Sequence, residues 1–112
     1  MNPVLASQTP RQAAGENKER YLAHIDHLMM VVLDISNGPQ AAPDLPHHHV
    51  HEQISYIVSG RVIFFLGDAP YELGPGDMIA VPSDVPHCIQ LLSESARVID
   101  TFNPIRQEFL GS

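Results

Sequence analysis

Cysteine is nearly absent: Cys88 is the only one in 112 residues. No internal disulfide can form, and the composition suits a reducing cytosol. Positive charge is almost as scarce. Six Lys and Arg stand against 13 Asp and Glu, Lys18 is the single lysine, and the formal net charge is −7. No basic cluster can track a phosphate backbone, which disfavours nucleic acid as a partner. The same charge repels anionic lipids. It does not exclude an acidic small molecule, because a local site can carry the opposite sign to the whole chain. Long apolar runs are missing too. Nothing approaches the roughly 20 residues of a membrane span, and the opening MNPVLASQTPRQAAGENKER lacks the apolar h-region of a signal peptide. A cytoplasmic protein with no membrane partner is the expectation. Sustained helical periodicity is also absent, apart from one turn near residues 107–110.

What is present is a succession of short β-type segments. The length fits one domain with one core, and 44% hydrophobic residues is ordinary for a globular chain. Residues 1–18 mix Pro3, Pro10, Gly15 and polar residues without a period, so they read as a flexible arm, with the option of a terminal strand that docks on a neighbour, before a single domain over 19–112. From Leu28, LMMVVLDIS is an apolar β-rich run that ends at Asn37-Gly38-Pro39. QISYIVSG and RVIFFLGD follow, divided near Ser59-Gly60, which is a hairpin signal. Residues 70–73, MIAVP, HCIQLL and ARVIDTF complete the set, with Gly74-Pro75-Gly76-Asp77 and SDVP as turns. Short strands separated by such turns predict an all-β sandwich or barrel. Both faces of QISYIVSG and RVIFFLGD are apolar. Tyr56 and Phe65 are therefore expected to pack, and a homodimer is expected through sheet faces or an exchanged N-terminal strand.

Residues 45–53 read LPHHHVHEQ. An expression tag would be terminal and uninterrupted, whereas this run is internal, broken by Val50, and leads straight into a strand. A solvated polar loop is the plain alternative. Spacing favours a metal site. Side chains alternate along extended chain, so His47, His49, His51 and Gln53 can share one face. His87, which opens a later strand after a turn, could complete the shell. His24 and His27 fit no such pattern and read as surface residues. Cys88 reads as a buried structural thiol.

These spacings resemble the cupin superfamily. Its first motif, Gly-x5-His-x-His-x3,4-Glu-x6-Gly, is met by His47-x-His49-x3-Gln53-x6-Gly60, with glutamine in the glutamate position. Its second, Gly-x5-Pro-x-Gly-x2-His-x3-Asn, is met by Gly76-x5-Pro82-x-Asp84-x2-His87, with Asp84 for glycine and Leu91 for asparagine. The resemblance implies a double-stranded β-helix, a jelly-roll-like barrel. It also implies that His47, His49, Gln53 and His87 hold one divalent transition metal, with Zn, Ni, Fe, Mn and Co all compatible. His51 is then a pocket-wall residue on the substrate side; His51 and Glu52 are the rival ligands. Three imidazoles and an amide oxygen are neutral, so a bound ion keeps its full charge and suits Lewis-acid chemistry.

Near the C-terminus, Asp100 and Phe102 alternate with Thr101, and Arg106 follows a proline turn. A solvated arginine and a merely pairing aspartate are the bland readings. Together with HVHEQISYIVSG, however, Asp100-x-Phe102-x3-Arg106 resembles the small single-domain cupins of the KdgF type, over about Met29 to Leu110. Those proteins act on unsaturated uronates from pectin or alginate, converting a cyclic 4,5-unsaturated sugar acid to its linear keto form. The resemblance implies an enzyme of lyase or isomerase type in carbohydrate metabolism. Arg106 would grip the substrate carboxylate, Asp100 would move a proton, and Phe102 would wall the pocket. The alternatives are a metal-dependent dioxygenase, which Gln53 in place of a carboxylate disfavours, and a non-catalytic small-molecule-binding cupin.

Overall fold

The computed structural model describes residues 2–110. Nine strands run in chain order: β1 (Gln12–Gly15), β2 (Lys18–His24), β3 (Met29–Ile35), β4 (Glu52–Ser59), β5 (Val62–Leu66), β6 (Ala69–Leu73), β7 (Met78–Val81), β8 (His87–Leu91) and β9 (Ala96–Asn103). Short 3-10 turns lie at Ala6–Gln8 and Gln107–Leu110. The strands form two antiparallel sheets, ordered β1-β2-β3-β9-β4-β7 and β6-β5-β8. This is the all-β architecture expected from the short strands and turn residues.

Two expectations change. QISYIVSG and RVIFFLGD are not a hairpin: β4 pairs with β7 and β9, while β5 pairs with β6 and β8. Gly60 carries the chain from one sheet to the other at φ +80, and a Cβ there would meet the Ser95 carbonyl and Ala96 backbone. A side chain is therefore excluded by both conformation and space. The N-terminal segment is also more regular than a loose arm. Residues 12–15 form β1 and Lys18–His24 forms β2 in the same sheet. KERYLAH escaped notice because its inward face carries Lys18 and Arg20 as well as Leu22, so no apolar alternation announces it.

Register explains where the core ends and the polar interior begins. Across β3, β9 and β4 the inward residues align in three rows: Leu33–Val98–Ile57, Val31–Asp100–Ser55 and Met29–Phe102–Gln53. The first row belongs to a buried cluster of Ile35, Ile57, Val62, Leu91, Ala96 and Val98. Each such aliphatic side chain contributes about 1.5–3 kcal/mol when fully buried, so this end of the barrel is a sound base for a polar layer. Phe102 joins Met29 and Val31 in a second cluster, with Leu22, Ile105 and Phe109 packed against it. Between the two clusters the inward positions turn polar.

The long segment between β3 and β4 lies along the free edge of β8. Its backbone N–H groups at Gln40, Asp44 and His47 donate to the carbonyls of Leu91, Ile89 and His87. His87 donates back to His47, which closes a two-residue bridge. The edge of the smaller sheet is covered in this way, and its ladder is extended to the histidine run. The outer face of the larger sheet is left open. Tyr56, expected to pack, is 38% exposed there, beside Ile54, Val58 and Met78.

Candidate metal centre and cavity

The His47–His87 bridge puts two imidazoles side by side, with ring centroids 4.3 Å apart. His49 joins them at 4.8 Å from His87 and 5.8 Å from His47. Turn chemistry holds it there. Asp84, in the glycine position of the second motif, adopts φ 62, and its N–H donates to the His49 carbonyl at 2.8 Å. Aspartate tolerates this left-handed conformation better than most residues. One ligand atom from each of the three histidines lies within 4.8 Å of the others. Donors on one ion at about 2.1 Å are themselves about 3–4 Å apart, so small side-chain shifts suffice.

Hydrogen bonding tests whether these residues fit a cation. His87 Nδ1 donates to the Val85 carbonyl at 2.9 Å, leaving Nε2 buried without a partner. A buried, unpaired ring nitrogen is costly unless something binds it. His49 makes the stronger case. Its Nδ1 lies 3.0 Å from the His51 carbonyl, and its Nε2 lies 3.0 Å from Gln53 Oε1. Both neighbours are acceptors, and a neutral imidazole has only one N–H. Burial, reinforced by the charge of Arg106, pulls the His49 pKa down, so the ring is neutral near pH 7. One lone pair must then face an oxygen, unless a cation lies between them. With Nδ1–H donated to the backbone, Nε2 and Gln53 Oε1 are both free to bind that cation, an arrangement common to metal-binding histidines. His47 is lowered to about 4, first by desolvation and then by the charges of His87, Arg106 and His49; His87 is lowered mainly by burial. All three rings are therefore available as neutral ligands.

The rivals fall outside the cluster. Glu52 is exposed on the outer face of β4. His51 packs against His49 and Phe102, with centroids 5.3 and 6.4 Å away, and its Nδ1 is buried without a hydrogen-bond partner among the described residues. His24 and His27 are exposed. Cys88 is free and buried, and desolvation raises its pKa, which keeps the thiol protonated.

A cavity of about 790 Å³ opens between the sheets, lined by His47, Gln53, His87, Asp100, Phe102 and Arg106 among others. Asp100 is enclosed by protein except toward this space. Ser55 Oγ donates to its Oδ1 at 2.6 Å, and Gln53 Nε2 lies 3.4 Å from the same oxygen and 2.9 Å from Ser55 Oγ. Desolvation raises the Asp100 pKa; Ser55, Arg106, Gln53 and His49 oppose the rise. Arg106 is only 15% exposed. It stacks over Phe109 at 4.4 Å and over Phe102 at 5.2 Å. Its Nε and Nη2 donate to Glu108 Oε2 at 3.2 and 2.9 Å, and among the described residues Nη1 has no partner. The guanidinium is thus paired, yet keeps a free donor at the cavity.

A family model described as Cupin domain matches residues 31–102. The chain is a cupin. The pectin degradation protein KdgF of Dickeya dadantii (strain 3937) is 31% identical over 105 residues, covering 92% of this chain and 93% of that protein. Among solved structures, KdgF from Halomonas sp. aligns with a TM-score of 0.85 at 30% identity, over 94% of each chain. An RmlC-like cupin from Shewanella frigidimarina NCIMB 400 aligns with the same TM-score at 29% identity, over 95% of this chain and 93% of that one. No helix among the described residues is long and apolar enough to cross a membrane.

In this cupin several cavity residues had no motif to mark them. Ser55 was legible in principle: it is a polar residue at an inward position between Gln53 and Ile57, and it is fully buried. Lys18 and Arg20 reach the cavity from β2, and Phe109 from the C-terminal turn. Lys18 Nζ pairs with Asp44 at 3.1 Å. That ion pair ties β2 to the segment that delivers His47.

Proposed function

We propose that this cupin is a metal-dependent enzyme acting on a small acidic sugar derivative, and that it converts a 4,5-unsaturated uronate to its linear keto form. One observation carries the reading. Two members of a three-histidine cluster, His47 and His87, line the same cavity as a buried carboxyl of raised pKa and an arginine with a free donor. Similarity to a pectin degradation protein over nearly the whole of both chains supports the substrate class.

His47, His49, His87 and Gln53 would hold one divalent transition metal, which when bound supplies Lewis-acid polarisation of substrate oxygens. Arg106 Nη1 meets the substrate carboxylate, while Phe102, 2% exposed, gives the sugar an apolar wall and keeps water out. Asp100 accepts the proton of the anomeric hydroxyl. The bond between the anomeric carbon and the ring oxygen breaks, giving an aldehyde and an enolate at C5. Protonated Asp100 returns the proton to C4, and the enolate becomes a ketone. No water or oxidant is consumed, and Asp100 ends as it began. Its raised pKa suits a group that must both accept and return a proton near neutrality.

The test is incubation of metal-loaded protein with unsaturated galacturonate, following loss of the C4–C5 double bond by ultraviolet absorbance and the keto product by NMR. Oxygen uptake in place of isomerisation would establish the dioxygenase alternative. Tight binding without turnover would establish a binding domain. The reading includes a cytoplasmic homodimer formed through the open outer sheet face, where Ile54 and Met78 are 52% and 65% exposed. A monomer mass by light scattering would remove the dimer from it.

A further inference from the structure

The basic residues of this chain are few, and most are matched. Lys18 pairs with Asp44, Arg61 with Glu72, Arg97 with Asp34 and Arg106 with Glu108. Among the described residues Arg11 and Arg20 have no carboxylate within ion-pair distance, in a chain with 13 Asp and Glu. Arg11 gives its Nη1 to the backbone carbonyls of Ala6 and Thr9, away from the cavity, and Arg20 does not. Arg20 is not a surface residue left in water. Register places it opposite Leu33 on the inward side of β2, and it lines the cavity. Its Cζ stacks over the Phe109 ring at 3.7 Å, the ring that also carries Arg106 at 4.4 Å. Two guanidiniums therefore share one aromatic platform at one wall, and a single glutamate serves only the second.

This arrangement has an electrostatic cost. Desolvation and the charge of Arg106 both disfavour a protonated Arg20, and Glu108 only partly offsets them. Its hydrogen bonding also leaves donors free. Arg20 Nε donates to Gln12 Oε1 at 3.1 Å, and among the described residues the terminal nitrogens make no hydrogen bond. Terminal N–H groups of a guanidinium held over an aromatic ring can meet a planar carboxylate in fork geometry.

We propose that Arg20 is a second anion-binding residue of the cavity, which together with Arg106 clamps the carboxylate of the acidic ligand. Arg20 supplies its free terminal N–H groups and Arg106 its Nη1. The sugar ring then extends from this clamp toward the histidines. The clamp helps a chain of net charge −7 admit an anion: the lining bases Lys18, Arg20 and Arg106 formally balance the lining acids Glu16, Asp44 and Asp100, and two of the three positive charges are gathered at one ring. The identity of the ligand rests on the sugar-acid reading above; the anion site itself does not.

The experiment compares wild type, Arg20→Gln and Arg20→Lys, with metal content and melting temperature checked for each. The probes are galacturonate, its neutral methyl ester, and acetate, titrated by calorimetry. Arginine side-chain N–H resonances are followed by NMR on the wild type, so the result does not depend on a variant folding. Arg20→Gln should weaken galacturonate binding by about tenfold or more, the scale of losing one charge-assisted contact. Arg20→Lys should recover part of the loss, and methyl-ester binding should not change. Acetate should shift the Arg20 and Arg106 resonances together. Equal galacturonate affinity in wild type and Arg20→Gln, with a stationary Arg20 resonance, overturns the clamp. Arg20-dependent acetate binding without galacturonate binding keeps the clamp and removes the sugar acid. A wild type that binds neither anion removes both.

Discussion

Ser55→Ala is the sharpest perturbation of Asp100, the proposed proton-handling group, because it leaves every proposed ligand in place. Ser55 is fully buried and donates to Asp100 Oδ1 at 2.6 Å. This bond favours the ionised carboxylate and is the first of the effects opposing the raised pKa. A hydrogen bond to a charged group is worth about 1.5–3 kcal/mol. Gln53 Nε2, 3.4 Å away and deprived of its own Ser55 acceptor, can move closer to Asp100 and recover part of this. The net effect should lie at the lower end of that range. About 1.4 kcal/mol is a tenfold change in the ionisation equilibrium. The pKa of Asp100 should therefore rise further. On the acid limb, where the ionised fraction limits the rate, turnover of unsaturated galacturonate should drop by about tenfold. At alkaline pH the two enzymes should converge.

Stability should follow the same sign. Asp100 has a folded-state pKa above its unfolded value, so its contribution to stability declines as pH rises through the folded pKa. Removing Ser55 deepens that decline. The variant should melt lower than wild type at pH 8, and the gap should close on acidification as Asp100 becomes protonated. Two assays read the effect independently: a pH–rate profile and NMR titration of the Asp100 carboxyl carbon. An unchanged Asp100 titration in Ser55→Ala would refute the argument, whatever the rates do.

Chelation should lower the melting temperature, since a ligand held at 100 times its Kd stabilises the native state by about 2.7 kcal/mol. His87→Ala should abolish that difference, and because His47 is lowered to about 4, metal occupancy should survive mild acid and fail only as pH approaches that value. Asp100→Asn should keep metal and ligand binding and lose turnover, whereas Arg106→Ala should keep metal and weaken uronate binding by roughly 2–5 kcal/mol, the scale for a buried charged contact; wild-type turnover in both would reduce the C-terminal triplet to a structural role. Gln53→Glu should bind metal at least as tightly but turn over more slowly at neutral pH, with an Asp100 carboxyl that titrates at higher pH than in wild type; an unmoved Asp100 titration would count against it.

The fold was legible wherever strands alternate cleanly and end in turn residues. β4 buries Gln53, Ser55 and Ile57 and exposes the residues between them, as period two requires. The histidine spacing was legible for the same reason, together with the fixed offset of His87 after its turn. Strand pairing was not. Ser59-Gly60 carries hairpin chemistry, yet Gly60 serves a change of sheet, and only the long-range partners of β4 and β5 decide between the two. β2 was hidden because Lys18 and Arg20 occupy inward positions that would be apolar in a simple core. What concealed the strand is what makes it matter to the cavity. His51 shows a further limit: parity put it on the ligand face, but the chain at 47–51 is not regular strand, and the ring lies outside the cluster.

The departure from the first cupin motif at Gln53 and the presence of Asp100 belong to one arrangement. Ser55 and Asp100 are register partners on β4 and β9, and Gln53 lies one inward step away, opposite Phe102. Any residue at 53 therefore borders both the histidines and Asp100. A glutamate would be an acceptor on both sides, with its second oxygen a few ångströms from another carboxylate. Two such groups cannot both ionise freely, and one pKa is driven up strongly. Glutamine avoids this because its ends differ: Oε1 faces His49, and Nε2 faces Ser55 and Asp100. It presents an acceptor where a cation would bind and a donor where a carboxylate must sometimes be ionised. A neutral ligand set would keep the full charge of a bound ion for substrate oxygens, and the adjoining carboxylate would keep a pKa from which to exchange a proton. A glutamate at position 53 would lessen both.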